Sequence, residues 1–168
     1  ATVEAGITLN SFQNQLKKQG QFLPLETPIP ERATIGGILS TNSSGPSRLN
    51  YGTPHDWLIG IRVVHATGIS TKAGGRVVKN VTGYDLNKLY VGSLGTLAII
   101  VEATFKVTPI PMARQTLLYG YHTLQSVMKA TTQLSNLPFQ AESMIVIDKE
   151  AIKHLQVITI HPISNFNV

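Results

Sequence analysis

Apolar positions near the start of the chain recur at helical spacing. Leu9, Phe12 and Leu16 share one face, Thr8 stands where an N-cap belongs, and Gly20 follows the last turn. The pattern predicts a helix over Leu9–Lys18. A strand-like run, Thr2–Ala5, precedes it. Three prolines within Phe22–Glu31 make that stretch extended or turned. Thr34 is placed to cap a short helix over Ile35–Ser40, with Gly36 and Gly37 permitting tight packing. Leu58–Ala66 is rich in β-branched residues and ends at a Thr67-Gly68 turn. Tyr84–Leu89 reads as one or two helical turns. Ala98–Val107 opens as a continuous apolar run and then alternates, as in a strand buried on both faces at one end. The stiff sequence Thr108-Pro109-Ile110-Pro111 marks a boundary. Beyond it a strand at Gln115–Tyr121, a helix at Thr123–Leu134 and a strand at Glu142–Asp148 form a βαβ-like piece too small to close a core alone. The boundary divides the chain into two units, 1–111 and 112–168.

Composition narrows the chemistry. Of 168 residues, 42% are hydrophobic and 14% charged, enough for a packed core and too apolar for disorder. The chain has no cysteine, which excludes disulfides, thiolate metal sites, cysteine nucleophiles and a cysteinyl cofactor link. No apolar run approaches the roughly 20 residues that span a bilayer. The chain opens on Ala1 rather than Met, and reads as a fragment or a processed piece. The net charge of +5 resides between Arg32 and Lys106, where eight Lys/Arg face three Asp/Glu. These cations are scattered singly, without the dense stripe or aromatic platform of a nucleic-acid groove, so a nucleic-acid partner is set aside.

The same region, Ala33 to Val107, holds eleven of the fourteen glycines. The clusters Gly36-Gly37, Gly74-Gly75 and Gly92-Ser93-Leu94-Gly95 point to positive φ angles or close backbone approach. With hydroxyl and amide side chains nearby, such a region suits a phosphate-bearing ligand held by main-chain N–H groups. Gly36-Gly37 taken alone also fits a tightly packed helix start, and Gly92–Thr96 a tight turn. Neither Gly-rich loop has the spacing of an ATP-binding P-loop, and no serine sits in a GxSxG context. The histidines at 55, 65, 122, 154 and 161 lack metal-ligand spacing, so no metal site is expected. Lys79, Asn80, Tyr84 and Asp85 could polarise a ligand. The preferred reading is structural, with Asp85 capping a short helix or pairing with Lys88. No catalytic residue is assigned.

Four passages, in order, carry a family resemblance: Val3-Glu4-Ala5-Gly6, Ala33-Thr34-Ile35-Gly36-Gly37 with Thr41-Asn42, Gly83-Tyr84-Asp85-Leu86, and Gly92-Ser93-Leu94-Gly95-Thr96-Leu97. Together they span residues 1 to about 111. They resemble the vanillyl-alcohol oxidase, or PCMH-type, FAD flavoproteins, in the branch of D-lactate and glycolate dehydrogenases. Gly74–Leu89 is most similar to the FAD-binding subunit of glycolate oxidase. The resemblance implies the second lobe of a two-lobed FAD-binding domain, followed by the truncated start of an α+β cap domain. A first lobe with its own glycine-rich pyrophosphate loop is expected ahead of Ala1.

The resemblance also implies non-covalent FAD held by three runs. Pro28, Ile29, Pro30, Glu31, Arg32, Ala33 and Thr34, leading into Gly36 and Gly37, would follow the flavin and pyrophosphate. Thr41, Asn42, Ser43 and Ser44 would offer donors to the phosphates. Leu94, Gly95, Thr96, Leu97, Ala98, Ile99 and Ile100 would pass the cofactor with their backbone. The family commonly has glycine where this chain has Ala98, which would loosen the contact if φ had to be positive there. Without the first lobe, Ile35, Leu39 and Ile99 are expected on an uncovered face. The implied activity is oxidation of a small 2-hydroxy acid, with D-lactate or another substrate of the same fold, or a non-catalytic scaffold, as alternatives. The implied partners are a larger flavin subunit and an iron–sulfur subunit. The implied setting is the cytoplasm, or the membrane periphery through a complex.

Overall fold

The computed structural model describes residues 1–75, 86–138 and 140–154. Strand β1 (Thr2–Glu4) turns into helix α1 (Leu9–Lys17). Thr8 is extended at its N-cap, and its Oγ1 accepts a hydrogen bond from Ser11 N at 3.3 Å. Leu9, Phe12 and Leu16 form the buried face, as their spacing requires. Gly20, at φ 67°, reverses the chain into β2 (Gln21–Phe22). The Gln13 side-chain amide donates to Leu23 O, and its Oε1 accepts from Leu23 N at 3.1 Å. One polar side chain thereby anchors the start of the proline-rich stretch.

Helix α2 (Ile35–Thr41) follows, capped by Thr34. Two single-turn helices come next, α3 (Arg48–Tyr51) and α4 (Pro54–Trp57), too short to leave a periodic signal. Strands β3 (Leu58–Val64) and β4 (Ser70–Gly74) form a hairpin around Gly68, at φ 80°. After α5 (Leu86–Leu89) come β5 (Ile99–Phe105), β6 (Thr108–Pro109), α6 (Leu124–Ser135) and α7 (Lys149–His154). The main sheet has the order β1-β5-β3-β4, every pair antiparallel; β2 and β6 form a separate ribbon. Helices α1 and α2 pack against this antiparallel sheet rather than crossing over between parallel strands, which is an α+β arrangement.

The core joins Ile61, Val63, Ala103 and Phe105 of the sheet to Leu9, Phe12, Ile35 and Leu39 of α1 and α2. The register also aligns Glu4, Glu102, Arg62 and Lys72 across the four strands. Among the described residues, every buried hydrophobic lies between Ala5 and Phe105.

Three sequence expectations change. Strand β5 is buried at its end, not its beginning: Ile99 is 69% exposed, whereas Ala103 and Phe105 are at most 1% exposed. The reason is sheet geometry, since β1 pairs only with residues 102–104 and leaves the first half of β5 with a neighbour on one side. Gln115–Tyr121 and Glu142–Asp148 form no strands. A strand exists through its ladder, and neither run finds a partner among the described residues, although α6 between them forms as its pattern predicts. Strand β4 was not legible, because Ser70–Gly74 has weak β-propensity and is held by its register on β3. The proposed roles of Lys79, Asn80, Tyr84 and Asp85 lie outside the described residues, as does His161.

Candidate cofactor-binding site

The three runs singled out from sequence converge on α2. At its N-terminus the first donors are taken by the protein itself. Ile35 N donates to Ile7 O at 2.9 Å, Gly36 N to Ala5 O at 2.8 Å, and Gly37 N to the Thr34 hydroxyl at 3.2 Å. This helix end is therefore closed to an anion, in contrast to the simplest use of a helix dipole. The two glycines have different duties. A Cβ on Gly36 would stand 3.0 Å from Ala5 Cβ and 3.2 Å from Ala5 O, so its absence lets α2 lie against the end of β1. Gly37 is exposed and would meet only Thr34 Oγ1, at 3.2 Å.

The C-terminus of α2 gathers the second and third runs. Asn42 adopts the left-handed conformation (φ 50°, ψ 40°) and shares its N–H between Ile38 O and Leu39 O. The loop before β5 then docks on the helix end: Gly92 N donates to Leu39 O at 2.9 Å and Leu94 N to Ser40 O at 2.8 Å. That loop needs left-handed backbone at Gly92 (φ 78°), Leu94 (φ 53°) and Gly95 (φ 76°). Leucine bears about 1–2 kcal/mol of strain there, which its bond to Ser40 O helps offset, and its side chain is left 70% exposed.

The first run, 28–34, folds over the start of α1. Arg32 N and Ala33 N both donate to Ile29 O, Asn10 N to Pro30 O, and Leu9 N to Ala33 O. Just upstream, Glu26 Oε2 accepts from Ser47 N at 2.9 Å, which ties this run to the turn after Asn42. Gly45 is required there, since a Cβ would fall 2.6 Å from Glu26 Cβ. Sequence reasoning missed Glu26 and Gly45; the Gly45-Pro46 dipeptide was the available turn signal.

The resulting surface has two characters. The Ser43 and Ser44 hydroxyls, the Asn42 side-chain amide and the N–H groups of Ser44, Gly45, Gly95 and Leu97 make no hydrogen bond to another described residue. They form an open donor set. Thr41 does not join it as a donor, because its hydroxyl proton goes to Gly37 O at 2.9 Å. Thr96, although exposed, is not an open donor either: its N–H and hydroxyl both donate to Ser93 O. Within the first and third runs, Ile29, Leu94, Leu97 and Ile99 expose apolar side chains. Ala98 is buried without positive φ, since Asn42 and Leu94 are the only described non-glycine residues of that kind. Alanine is therefore unstrained in this position. Ile100 is half-buried, and Ile35 and Leu39 are fully buried rather than uncovered, because α2 packs them on the sheet. Thr27 Oγ1, next to the first run, is buried without a partner.

Charge chemistry is sparse. The Asp56 carboxyl is held below its ordinary range first by the Thr53 N–H; burial opposes this, and the Thr53 hydroxyl, His55 and Lys88 add to it. It accepts from Thr53 N at 2.8 Å and Thr53 Oγ1 at 2.9 Å, so it is spent on capping α4. Among the described residues no group of three or more His, Asp or Glu gathers as metal ligands. Nor is any described helix long and apolar enough to cross a membrane.

The sequence profile of the FAD binding domain matches residues 1–85, just over half of the chain. The chain belongs to this FAD-binding family. Relatives place it among PCMH-type flavoproteins beside glycolate oxidase subunits. It is 39% identical over 140 residues to glycolate oxidase subunit GlcE of Escherichia coli, covering 82% of this chain and 40% of that protein. It is 37% identical over 134 residues to glycolate oxidase subunit GlcD of Bacillus subtilis, covering 80% and 28%. A D-lactate dehydrogenase of Archaeoglobus fulgidus is 33% identical over 151 residues, covering 89% and 33%. The solved structure of an alkyldihydroxyacetonephosphate synthase superposes with a TM-score of 0.58 at 35% identity, over 67% of this chain and 20% of that one. The chain thus spans well under half the length of these relatives.

FAD is the cofactor of this family, and the surface around α2 suits it. Open N–H and hydroxyl donors match an anionic diphosphate, and the exposed apolar side chains of Leu94, Leu97 and Ile99 suit a flat ring system.

Proposed function

We propose that residues 1–111 are a cofactor-binding lobe of an FAD-dependent oxidoreductase acting on a small 2-hydroxy acid, in the manner of a glycolate oxidase subunit. Residues 112–168 are the start of its cap domain. The observation that carries this reading is the docking of the 92–97 loop on the end of α2, which joins the stretch bearing the open N–H groups of Gly95 and Leu97 and the exposed Leu94 and Leu97 side chains to the helix end that leads into the open donors at 42–45.

Bound FAD would supply the two-electron acceptor for oxidation of the alcohol carbon. The chain's own groups bind and orient it. Ser43, Ser44, Gly45 and Gly95 donate hydrogen bonds to the diphosphate, and the charge-assisted character of such bonds fixes the cofactor's register. Leu94, Leu97 and Ile99 keep water from one edge of the ring. Without cysteine in the chain a cysteinyl link is excluded, and the proposed binding is non-covalent. The residues that bind and polarise the hydroxy acid belong mostly to other parts of the enzyme. A larger flavin subunit and an iron–sulfur subunit complete the proposed assembly, in the cytoplasm or at the membrane periphery.

The D-lactate dehydrogenase similarity keeps lactate as the second candidate substrate. The test is to purify the assembled enzyme, confirm its flavin absorbance, and add glycolate or D-lactate anaerobically. Bleaching of the flavin band by one of them supports the proposal. A flavin-free protein, or a flavin that neither acid reduces, would refute it.

A further inference from the structure

Five side chains form a continuous ladder along one side of the lobe. Lys106 Nζ lies 4.9 Å from the Trp57 ring centroid. Trp57 meets Tyr51 edge-on at 6.3 Å, and Tyr51 meets Phe22 at 5.8 Å, nearly perpendicular. The Arg114 guanidinium carbon closes the ladder 5.0 Å from the Phe22 centroid. The stack is rigid at its centre, because Trp57 Nε1 also donates to Tyr51 O at 2.7 Å. Its rings come from β2, α3 and α4, short elements with little hold on one another except through these contacts.

The Arg114 end matters most. Arg114 lies beyond Pro109 and Pro111, in the segment whose described residues contribute nothing to the core. Its side chain returns to the lobe, stacks on Phe22, and pairs with Glu142 Oε1 at 3.1 Å. One guanidinium thus joins the lobe to a residue 28 positions further on. Gln140 adds a second tie, donating to Leu49 O at 3.1 Å. Planar, multi-donor arginine is suited to serve a ring face and a carboxylate at once. Each contact alone is weak at the surface, but removal of Arg114 breaks both together.

We infer that Arg114 is a positioning residue that latches the 112–154 segment to the cofactor-binding lobe and so fixes its placement beside the site. This rests on the proposed function only where the consequence is catalytic. The structural consequence can be measured without activity.

The chain has no cysteine, so spin labels can be placed on Lys18→Cys and Gln125→Cys in the whole 168-residue chain. Both positions are exposed, one at the end of α1 and the other on α6. The expected result is one narrow distance distribution, at least doubled in width by Arg114→Ala and by Glu142→Gln in part. Arg114→Lys should restore only part of the narrowing, because lysine keeps the charge but not the planar, multi-donor head that serves the ring and the carboxylate together. In the assembled enzyme, Arg114→Ala should raise KM about three- to tenfold, with kcat within twofold and FAD content unchanged. An unchanged distance distribution in Arg114→Ala would overturn the latch, whatever the activity. An enzyme that oxidises no 2-hydroxy acid would instead count against the functional proposal and leave the distance result standing.

Discussion

Replacing Gly36 and Gly37 separately by alanine distinguishes packing from ligand contact, because the two sites face different surroundings. Alanine in a helix gains about 0.5–1 kcal/mol over glycine. At Gly36 that gain meets Ala5, whose Cβ and carbonyl oxygen would stand 3.0 and 3.2 Å from the new methyl. Ala5 is buried and its carbonyl is bonded to Gly36 N at 2.8 Å, so neither neighbour can move away freely. Overpacking of this kind costs about 1–3 kcal/mol. The net loss for Gly36→Ala is about 1 kcal/mol, or a fall in Tm of roughly 4–8 °C for a lobe of this size. Gly37 is exposed, and its methyl would meet only the Thr34 hydroxyl at 3.2 Å, so Gly37→Ala should leave Tm within about 3 °C or raise it. Thermal unfolding followed by circular dichroism measures both. Equal or greater stability of Gly36→Ala, or greater damage from Gly37→Ala, would refute the packing argument. A second measurement then separates binding from folding. If FAD lies along this helix, Gly37→Val should lower flavin retention while the fold persists.

The donor set makes a second paired prediction. Ser44→Ala should weaken FAD binding by about 1–3 kcal/mol through loss of a donor to the diphosphate. Thr41→Val should change it less than about threefold, since that hydroxyl proton already serves Gly37 O. Titration calorimetry with FAD on the assembled protein checks the contrast, and equal losses would count against it. The third prediction concerns acid stability. The Asp56 carboxyl titrates lower when folded than when unfolded, so its contribution is present above the unfolded carboxylate range and fades as pH falls through the folded value. Asp56→Asn should cost about 0.5–1 kcal/mol at neutral pH, the low end for a solvent-exposed cap, and nothing in strong acid. Urea midpoints for both proteins across the acid range should converge; a constant gap would place the effect elsewhere.

Local signals in the sequence sufficed wherever the determining interactions were local. The i, i+3, i+7 spacing of Leu9, Phe12 and Leu16, with caps at Thr8, Thr34 and Thr123, sets three helices because each cap and each stripe acts within a turn or two. The glycines at 92 and 95 likewise announce left-handed backbone, for which they are the least strained residues. The family motifs were legible for the same reason: they are short and in order. Tertiary structure decided what depends on distant partners. Only the docking of Gly92 and Leu94 on the carbonyls at the end of α2 brings the third run beside the second. Thr41 looked like a phosphate donor until the helix showed where its proton goes. Gly36 and Gly37 are indistinguishable as residues, and Ala5 alone makes one of them indispensable to packing. Ile99, Ile35 and Leu39 were alike expected on an uncovered face, yet only Ile99 is exposed, because β1 ends before reaching it while α2 packs the other two on the sheet; Gln115–Tyr121 has strand composition but no ladder among the described residues. A side chain carries its own conformational preference in the sequence, whereas its neighbours are chosen by the fold, and both burial and hydrogen bonding depend on neighbours.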